Sequence, residues 1–375
     1  MEFDHIHFYV QDAQASRDWF VQRLGFQAVF SFKAQQTHTE IVNQGQIWLL
    51  LSSPLGHGGP VDEYLRLHPP GVADVAFRVQ NLENVLQRAT TAGAKVQRPV
   101  QNQRITDDSL KWARIMGWGG IRHTLVERTK PIPENPEPLL FPQVPELVMP
   151  AACSGGIFAI DHVVLNVATG HLRPALEWYQ SVFGFQPEQC FNIQTCRSGL
   201  QSQVLTHPQG SVQFPINQPD IGQACVQPLT RPRTPSQIQE FLDLNQGAGI
   251  QHIALQTTDI IKTVQQLRAN HLPFLCVPTT YYQAHAAVAN PYLQSDWPAI
   301  QAGKILVDWQ PETPEAVLLQ IFTQPIFDVP TFFFELIERR SSLRAGRWVQ
   351  AQGFGERNFQ ALFEAIEQEQ LSRNI

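Results

Sequence analysis

The sequence predicts an α+β fold of two tandem modules, each reading strand, helix and further strands twice over, with one more helix at the C-terminal end. Three observations predict it. Phe3-Asp4-His5-Ile6-His7-Phe8-Tyr9-Val10 returns as Ile160-Asp161-His162-Val163-Val164-Leu165-Asn166-Val167. Gly71-Val72-Ala73-Asp74-Val75-Ala76-Phe77 returns as Gly249-Ile250-Gln251-His252-Ile253-Ala254-Leu255. Between the halves, residues 129–150 carry prolines at 131, 133, 136, 138, 142, 145 and 150, which fix φ and remove donors, so this stretch reads as an extended linker.

The elements follow in order. Each copy of the first strand leads into a helical pattern with an aromatic pair, Trp19-Phe20 in one half and Trp178-Tyr179 in the other. Leu172, Ala175, Leu176, Tyr179 and Phe183 keep helical spacing, and the turns Leu24-Gly25-Phe26 and Phe183-Gly184-Phe185 put glycine where a C-cap belongs. The second strand pair leads into amphipathic helices, with Leu82, Val85, Leu86 and Ala89 on one and Ile261, Val264 and Leu267 on the other. Thr124-Leu125-Val126-Glu127-Arg128 then parallels Glu335-Leu336-Ile337-Glu338-Arg339. Beyond Arg340 a polar stretch reaches Gly353-Phe354-Gly355 and a helix opened by Asn358 as N-cap, with Phe359, Leu362, Phe363 and Ile366 on its apolar face. Burying four such side chains contributes about 6–12 kcal/mol gross, so this helix must dock. The expected division is a module at 1–128, the linker at 129–150 and a second domain at 151–375, with 353–375 as its lid.

Composition narrows the function. At 375 residues, with 43% hydrophobic and 16% charged residues, the chain reads as an ordinary globular protein of more than one domain. A net charge of -6 without a basic run argues against nucleic acid or an anionic membrane as the main partner. No apolar stretch approaches the roughly 18 residues of a spanning helix. The start Met1-Glu2-Phe3-Asp4 lacks a signal-peptide pattern, and five cysteines without a CxxC spacing suit free, mostly buried thiols in a reducing compartment. A cytoplasmic homo-oligomeric enzyme is the expectation.

Three positions carry the chemistry: His162, His252 and Glu335, each inside an apolar run that reads as a buried strand. Burying an imidazole or carboxylate there is costly without a partner. Taken alone, each histidine suits a hydrogen-bonded core, and Glu335 suits an ion pair with Arg339 or Arg340. Their joint occurrence on equivalent strands points instead to a metal, because two histidines and one carboxylate are the ligand set of non-haem Fe(II) oxygenases. The equivalent positions of the first half are His5, Asp74 and Thr124, a poor set for a divalent transition metal.

The second half resembles the 4-hydroxyphenylpyruvate dioxygenases of the vicinal-oxygen-chelate superfamily. The resemblance rests on the ordered segments DHVVLN, SQIQ, GAGIQHIAL, LLQIFT, FFFELIER and GFGERNFQALFEAIE, spread over about residues 155–368. It implies tandem vicinal-oxygen-chelate domains, each a duplicated βαβββ module forming an open barrel. It also implies Fe(II) on His162, His252 and Glu335, and conversion of a 2-keto acid, 4-hydroxyphenylpyruvate, with O2 to homogentisate and CO2, as in tyrosine catabolism or homogentisate supply for prenylquinones. The keto acid would supply the electrons, so no further reductant, flavin or pterin is expected.

The resemblance gives substrate-pocket roles to Ser202, Pro215, Asn217, Gln237, Gln251, Gln320, Phe322, Phe354, Phe359 and Leu362. Strand parity agrees for Pro215 with Asn217 and for Gln320 with Phe322, since residues two apart share a face. Gln251 adjoins His252, so either a bulge re-aims it or it lies behind the ligands. Homogentisate-forming relatives carry Phe at position 359 of this motif, and mandelate-forming ones an aliphatic residue. Arg357 stands where the family usually has Gly, which bears on the loop before the last helix. A mandelate-forming or ring-cleaving relative and a ligand-sequestering module are the alternatives. A ligand-sequestering module needs no such triad.

Overall fold

In the computed structural model, the described residues are 1–34, 36–105, 108–128, 156–194, 198–220, 236–286, 290–344 and 346–355, with 358, 359, 361, 362 and 366 beyond them. The linker at 129–150, Arg357, Phe363 and most of the expected last helix lie outside them.

The first half forms β1 (Glu2–Tyr9), α1 (Ala13–Trp19), β2 (Gln27–Ala34), β3 (Thr37–Gln44) and β4 (Ile47–Pro54). It continues as α2 (Pro60–Leu67), β5 (Gly71–Arg78), α3 (Leu82–Thr91), β6 (Val96–Ile105), β7 (Asp108–Met116) and β8 (Arg122–Arg128). The second half forms β9 (Ile157–Asn166), α4 (Leu172–Phe183), β10 (Gln186–Gln194), β11 (Gly199–Thr206) and β12 (Gln213–Asp220). Then come α5 (Gln237–Asn245), β13 (Gly249–Thr257), α6 (Ile260–Ala269), α7 (Thr279–Ala286) and α8 (Trp297–Gly303). The last strands are β14 (Leu306–Gln310), β15 (Thr313–Phe322), β16 (Phe333–Arg339) and the small hairpin β17 (Ser341–Arg344) and β18 (Arg347–Gln350).

The two large sheets share one topology. Their orders are β2-β3-β4-β1-β5-β8-β7-β6 and β10-β11-β12-β9-β13-β16-β15-β14. In each, two βαβββ units meet along an antiparallel seam, β1 with β5 and β9 with β13, while each unit's first and last strands pair in parallel. This is the vicinal-oxygen-chelate architecture: two curled sheets, each leaving one face for its helices and one for its own concavity.

The alternation along the strands produces that division. Ile6 and Phe8 join the helices in a large core, as do Val163 and Leu165, and that core runs on between the modules. Phe8 meets Phe332 edge-on at 5.1 Å, and Phe77 lies 5.2 Å from Phe183. The glycine stops behave as expected. Gly184 ends α4 at φ 73, with its N–H on the Gln180 carbonyl, while in the first copy a π-helical turn, Phe20–Leu24, precedes Gly25 at φ 79.

Two expectations need correcting. The described free cysteines, Cys190 and Cys276, are exposed rather than buried. Cys190 stands at an outward position of β10, and Cys276 lies in the irregular segment between α6 and α7. Asn358 is itself helical, and its side chain is taken by Tyr281 and Gln320 rather than opening the helix as N-cap.

Candidate metal centre

Strand parity puts His162 on the concave face of β9, and the seam brings β13 and β16 beside it. Ala254 of β13 lies opposite both His162 and Glu335, so the histidine and the glutamate flank one small residue. The Glu335 Oε2 atom is 3.3 Å from His162 Nε2 and 3.6 Å from His252 Nε2. All three side chains are buried, and their ligand atoms lie within 4.8 Å of one another. Such separations approach the roughly 3 Å edge of an octahedron with bonds of about 2.1 Å. Among the described residues no other group of three such side chains is gathered this closely.

The electrostatics fit a cation. Burial alone would lower the His162 pKa, but the Glu335 charge and the Asp161 hydrogen bond outweigh it and push the imidazole up to about 9. Burial and the neighbouring His162 hold His252 well below the usual imidazole range.

Two β-bulges shape this floor. The register of β9 against β13 slips at Asp161, and slips again at Gln251. The bulge allows the Asp161 carboxylate to turn back to its neighbour, where it accepts from His162 Nδ1 at 2.9 Å and leaves Nε2 facing Glu335. Arg339 clamps the same carboxylate with two bonds, Nε to Oδ2 at 2.7 Å and a terminal nitrogen to Oδ1 at 2.8 Å. The desolvation cost of burying Asp161 is outweighed by Arg339 and His162, which hold its pKa well below the usual range. The guanidinium also donates to the carbonyls of Ala351 and Gly353 and lies 5.8 Å from the Phe354 ring centre.

Glu335 has its own holder. Gln320, on the neighbouring β15, donates to Glu335 Oε1 at 2.8 Å and to the Phe354 carbonyl at 3.1 Å. Its Oε1 accepts from Asn358 at 2.7 Å, and Asn358 in turn accepts from the Tyr281 hydroxyl at 2.7 Å. Gly355, at φ 75, allows this approach: a Cβ there would come within 2.0 Å of Gln320 Oε1.

The other expected pocket residues surround this floor to different degrees. Ser202 and Asn217 face each other across β11 and β12, both buried. Asn217 donates to Asn166 at 3.2 Å, while Ser202 Oγ, Asn217 Oδ1 and Gln237 Oε1 are buried atoms without a partner among the described residues. Pro215 is buried two residues before Asn217, and Gln237 is the first residue of α5. Phe354 stands edge-on to His162 at 5.2 Å, and Phe322, opposite Glu335 in the register, has its ring 6.4 Å from His252. Phe359 packs on Phe191 at 5.2 Å, and Leu362 joins the main core. Gln251 is buried at its bulge. Asn166 and Asp161 go beyond the sequence reading, while Arg339, there a candidate ion-pair partner of Glu335, pairs with Asp161 instead, and Arg340 with Asp296 and Glu338. Parity alone flags two of them, since Asn166 lies four residues after His162 and Arg339 four after Glu335.

Known proteins show the same organisation. Residues 4–109 and 159–295 each match a family model described as the Glyoxalase/Bleomycin resistance protein/Dioxygenase superfamily. An uncharacterized protein from Synechocystis is 38% identical, covering 98% of this chain and 97% of that one. The 4-hydroxyphenylpyruvate dioxygenases of Caenorhabditis briggsae and Danio rerio are each 33% identical, over 99% and 100% of this chain and 92% and 91% of theirs. A solved mutant of 4-hydroxymandelate synthase from Streptomyces coelicolor superposes with a TM-score of 0.80 over 98% of both chains, at 24% identity, a likeness of fold.

Fold, triad and relatives together define a metal-binding dioxygenase of the vicinal-oxygen-chelate superfamily. Within it, the chain belongs to the 4-hydroxyphenylpyruvate dioxygenase family.

Proposed function

We propose that this enzyme uses Fe(II), held by His162, His252 and Glu335, to convert 4-hydroxyphenylpyruvate and O2 into homogentisate and CO2. The observation that carries the proposal is the buried triad, set beside polar atoms of Ser202, Asn217 and Gln237 that have no partner among the described residues. Buried polar atoms are nearly always hydrogen-bonded, so these three suit a polar ligand. On this reading residues 1–128 form a scaffold, 129–150 a linker and 151–375 the catalytic domain with its lid. The enzyme would act in the cytoplasm as a homo-oligomer; among the described residues no helix is long and apolar enough to cross a membrane.

Held by His162, His252 and Glu335, the iron would supply the Lewis-acid and redox chemistry that couples the keto acid to O2. The chain's own part is positioning and exclusion of water. Asp161 holds His162 in one tautomer, and Gln320 steadies Glu335. Ser202, Asn217 and Gln237 would orient the substrate's polar ends while staying neutral, and Gln251 would reach it from its bulge. Pro215, Phe322, Phe354, Phe359 and Leu362 would wall the pocket against water.

The test is anaerobic Fe(II) loading followed by addition of 4-hydroxyphenylpyruvate and O2. Oxygen consumed, CO2 released and homogentisate formed should stand at about one to one to one without 2-oxoglutarate, because the substrate carries its own keto acid. A requirement for 2-oxoglutarate would move the enzyme to another oxygenase class, and 4-hydroxymandelate as the main product would make it the sister enzyme.

A further inference from the structure

The first barrel repeats the scaffold of the second, with Asp74, Thr124 and Arg114 standing where the second has His252, Glu335 and Phe322. Asp4 sits at a register slip of β1 as Asp161 does on β9, accepting from His5 at 2.8 Å and pairing with Arg128 as Asp161 pairs with Arg339. At the height of the triad, however, Arg114 faces Thr124 where Phe322 faces Glu335. Its Nε bonds Thr124 Oγ1 at 2.9 Å and lies 3.1 Å from Asp74 Oδ2. A guanidinium thus takes the cation's role in this copy.

That arrangement leaves positive charge over. Asp4 is matched by Arg128 and Asp74 by Arg114, while Arg122 has no carboxylate partner among the described residues and spends one terminal nitrogen on the Tyr9 hydroxyl. The terminal nitrogens of Arg114 have no protein partner among the described residues either. Arg114 and Arg122 are each partly exposed at this floor. Burial pushes the His7 imidazole down to about 3, with Arg114, His5 and Arg122 adding to the fall and Asp74 opposing it.

The register also fixes what lies opposite. One cross-strand row runs Phe30, Ile41, Leu50, His7, Asp74, Arg122, from the β2 edge of the sheet to β8. Residues in one row share a face, so the curled sheet sets an apolar, aromatic half against a cationic half. Trp48 packs with Ile41 and Leu50 on the first half, and the Arg114 guanidinium lies 5.8 Å from the Trp112 ring centre on the second.

We propose that the first barrel is a second ligand site, for a small aromatic carboxylate whose acid group bridges Arg114 and Arg122 and whose ring lies toward Trp48 and Leu50. Forked guanidinium donors suit a carboxylate, and a planar body suits the opposite wall. The inference rests on the first module alone and does not depend on the reaction proposed for the second.

The experiment is calorimetric titration of benzoate into the metal-free full-length protein, with tryptophan fluorescence as a parallel readout and circular dichroism to verify each variant's fold. Saturable binding to one site per chain is expected. Arg122→Gln should weaken it at least about tenfold, and Arg122→Lys by less, because the charge survives without the fork. His252→Ala should leave it unchanged. Absence of saturable benzoate binding to the native chain would overturn the proposal. So would binding lost in His252→Ala but kept in Arg122→Gln, which would locate it in the other barrel. Inorganic phosphate binding as tightly as benzoate would overturn the aromatic class.

Discussion

His162 and His5 receive the same support, a bulged aspartate and an arginine behind it, yet only His162 has two metal-competent neighbours. At the residue scale this separates orientation from ligation. Asp161→Asn should lower metal affinity about 10–100-fold, read by titrating Co(II) into the metal-free protein, because the neighbour of a ligating histidine sets its basicity and aim. Asp4→Asn should leave that affinity unchanged. Equal losses in the two variants would show that the effect is one of general stability. The triad was legible because a repeat fixes which positions correspond, and only one copy filled all three with metal-competent side chains. The Asp161–Arg339 clamp was not. Its partners are 178 residues apart, and a regular strand would have turned Asp161 away from His162.

At the scale of elements, bulges and the last helix do the shaping. The slip at Gln251 is one of the two options its sequence position left open, and β5 slips at the equivalent Ala73. A bulge is a property of pairing between strands, so periodicity within one strand cannot announce it. The last helix was legible as an apolar face that must dock, and Leu362 does enter the core. What sequence could not give was the chain from Tyr281 through Asn358 and Gln320 to Glu335, which ties the segment around Phe354 to a triad member. Deleting residues 353–375 should therefore abolish homogentisate formation, by removing Phe354 and Phe359 from the wall and Asn358 from Gln320. Full activity in the truncated chain would show that the pocket closes without them. Phe359→Ile is expected to divert part of the product to 4-hydroxymandelate with iron retained, since a shorter branched side chain gives the substrate ring room to tilt. Chromatography of the products decides it, and an unchanged product would remove Phe359 from control of the outcome.

At the scale of the whole molecule, the modules are joined through buried contacts that have their own pH dependence. His123 of β8 donates from Nδ1 to the Val75 carbonyl at 3.0 Å and accepts at Nε2 from the Tyr179 hydroxyl of α4 at 2.9 Å. Burial pushes its pKa down to about 4, so the folded chain holds it neutral while the unfolded chain protonates it near the ordinary value of about 6.5. The unfolded state then binds more protons between those values. Stability present above about pH 6.5 should fall as pH drops toward 4, by about 3 kcal/mol from this group. Urea midpoints across that range should decline more steeply for the native chain than for His123→Gln, and equal slopes would show that His123 is not the source. The doubled architecture was legible in the repeated segments, whereas this junction was not, because it pairs residues from non-equivalent places in the two copies. The central claim is also a statement about the whole chain: two barrels of one topology, one of them built for a metal. Elemental analysis of the Fe(II)-loaded protein measures it directly. The account predicts about one iron per chain, lost in His162→Ala, His252→Ala and Glu335→Ala and kept in His5→Ala. Two irons per chain, or one that survives in Glu335→Ala and disappears in His5→Ala, would contradict it.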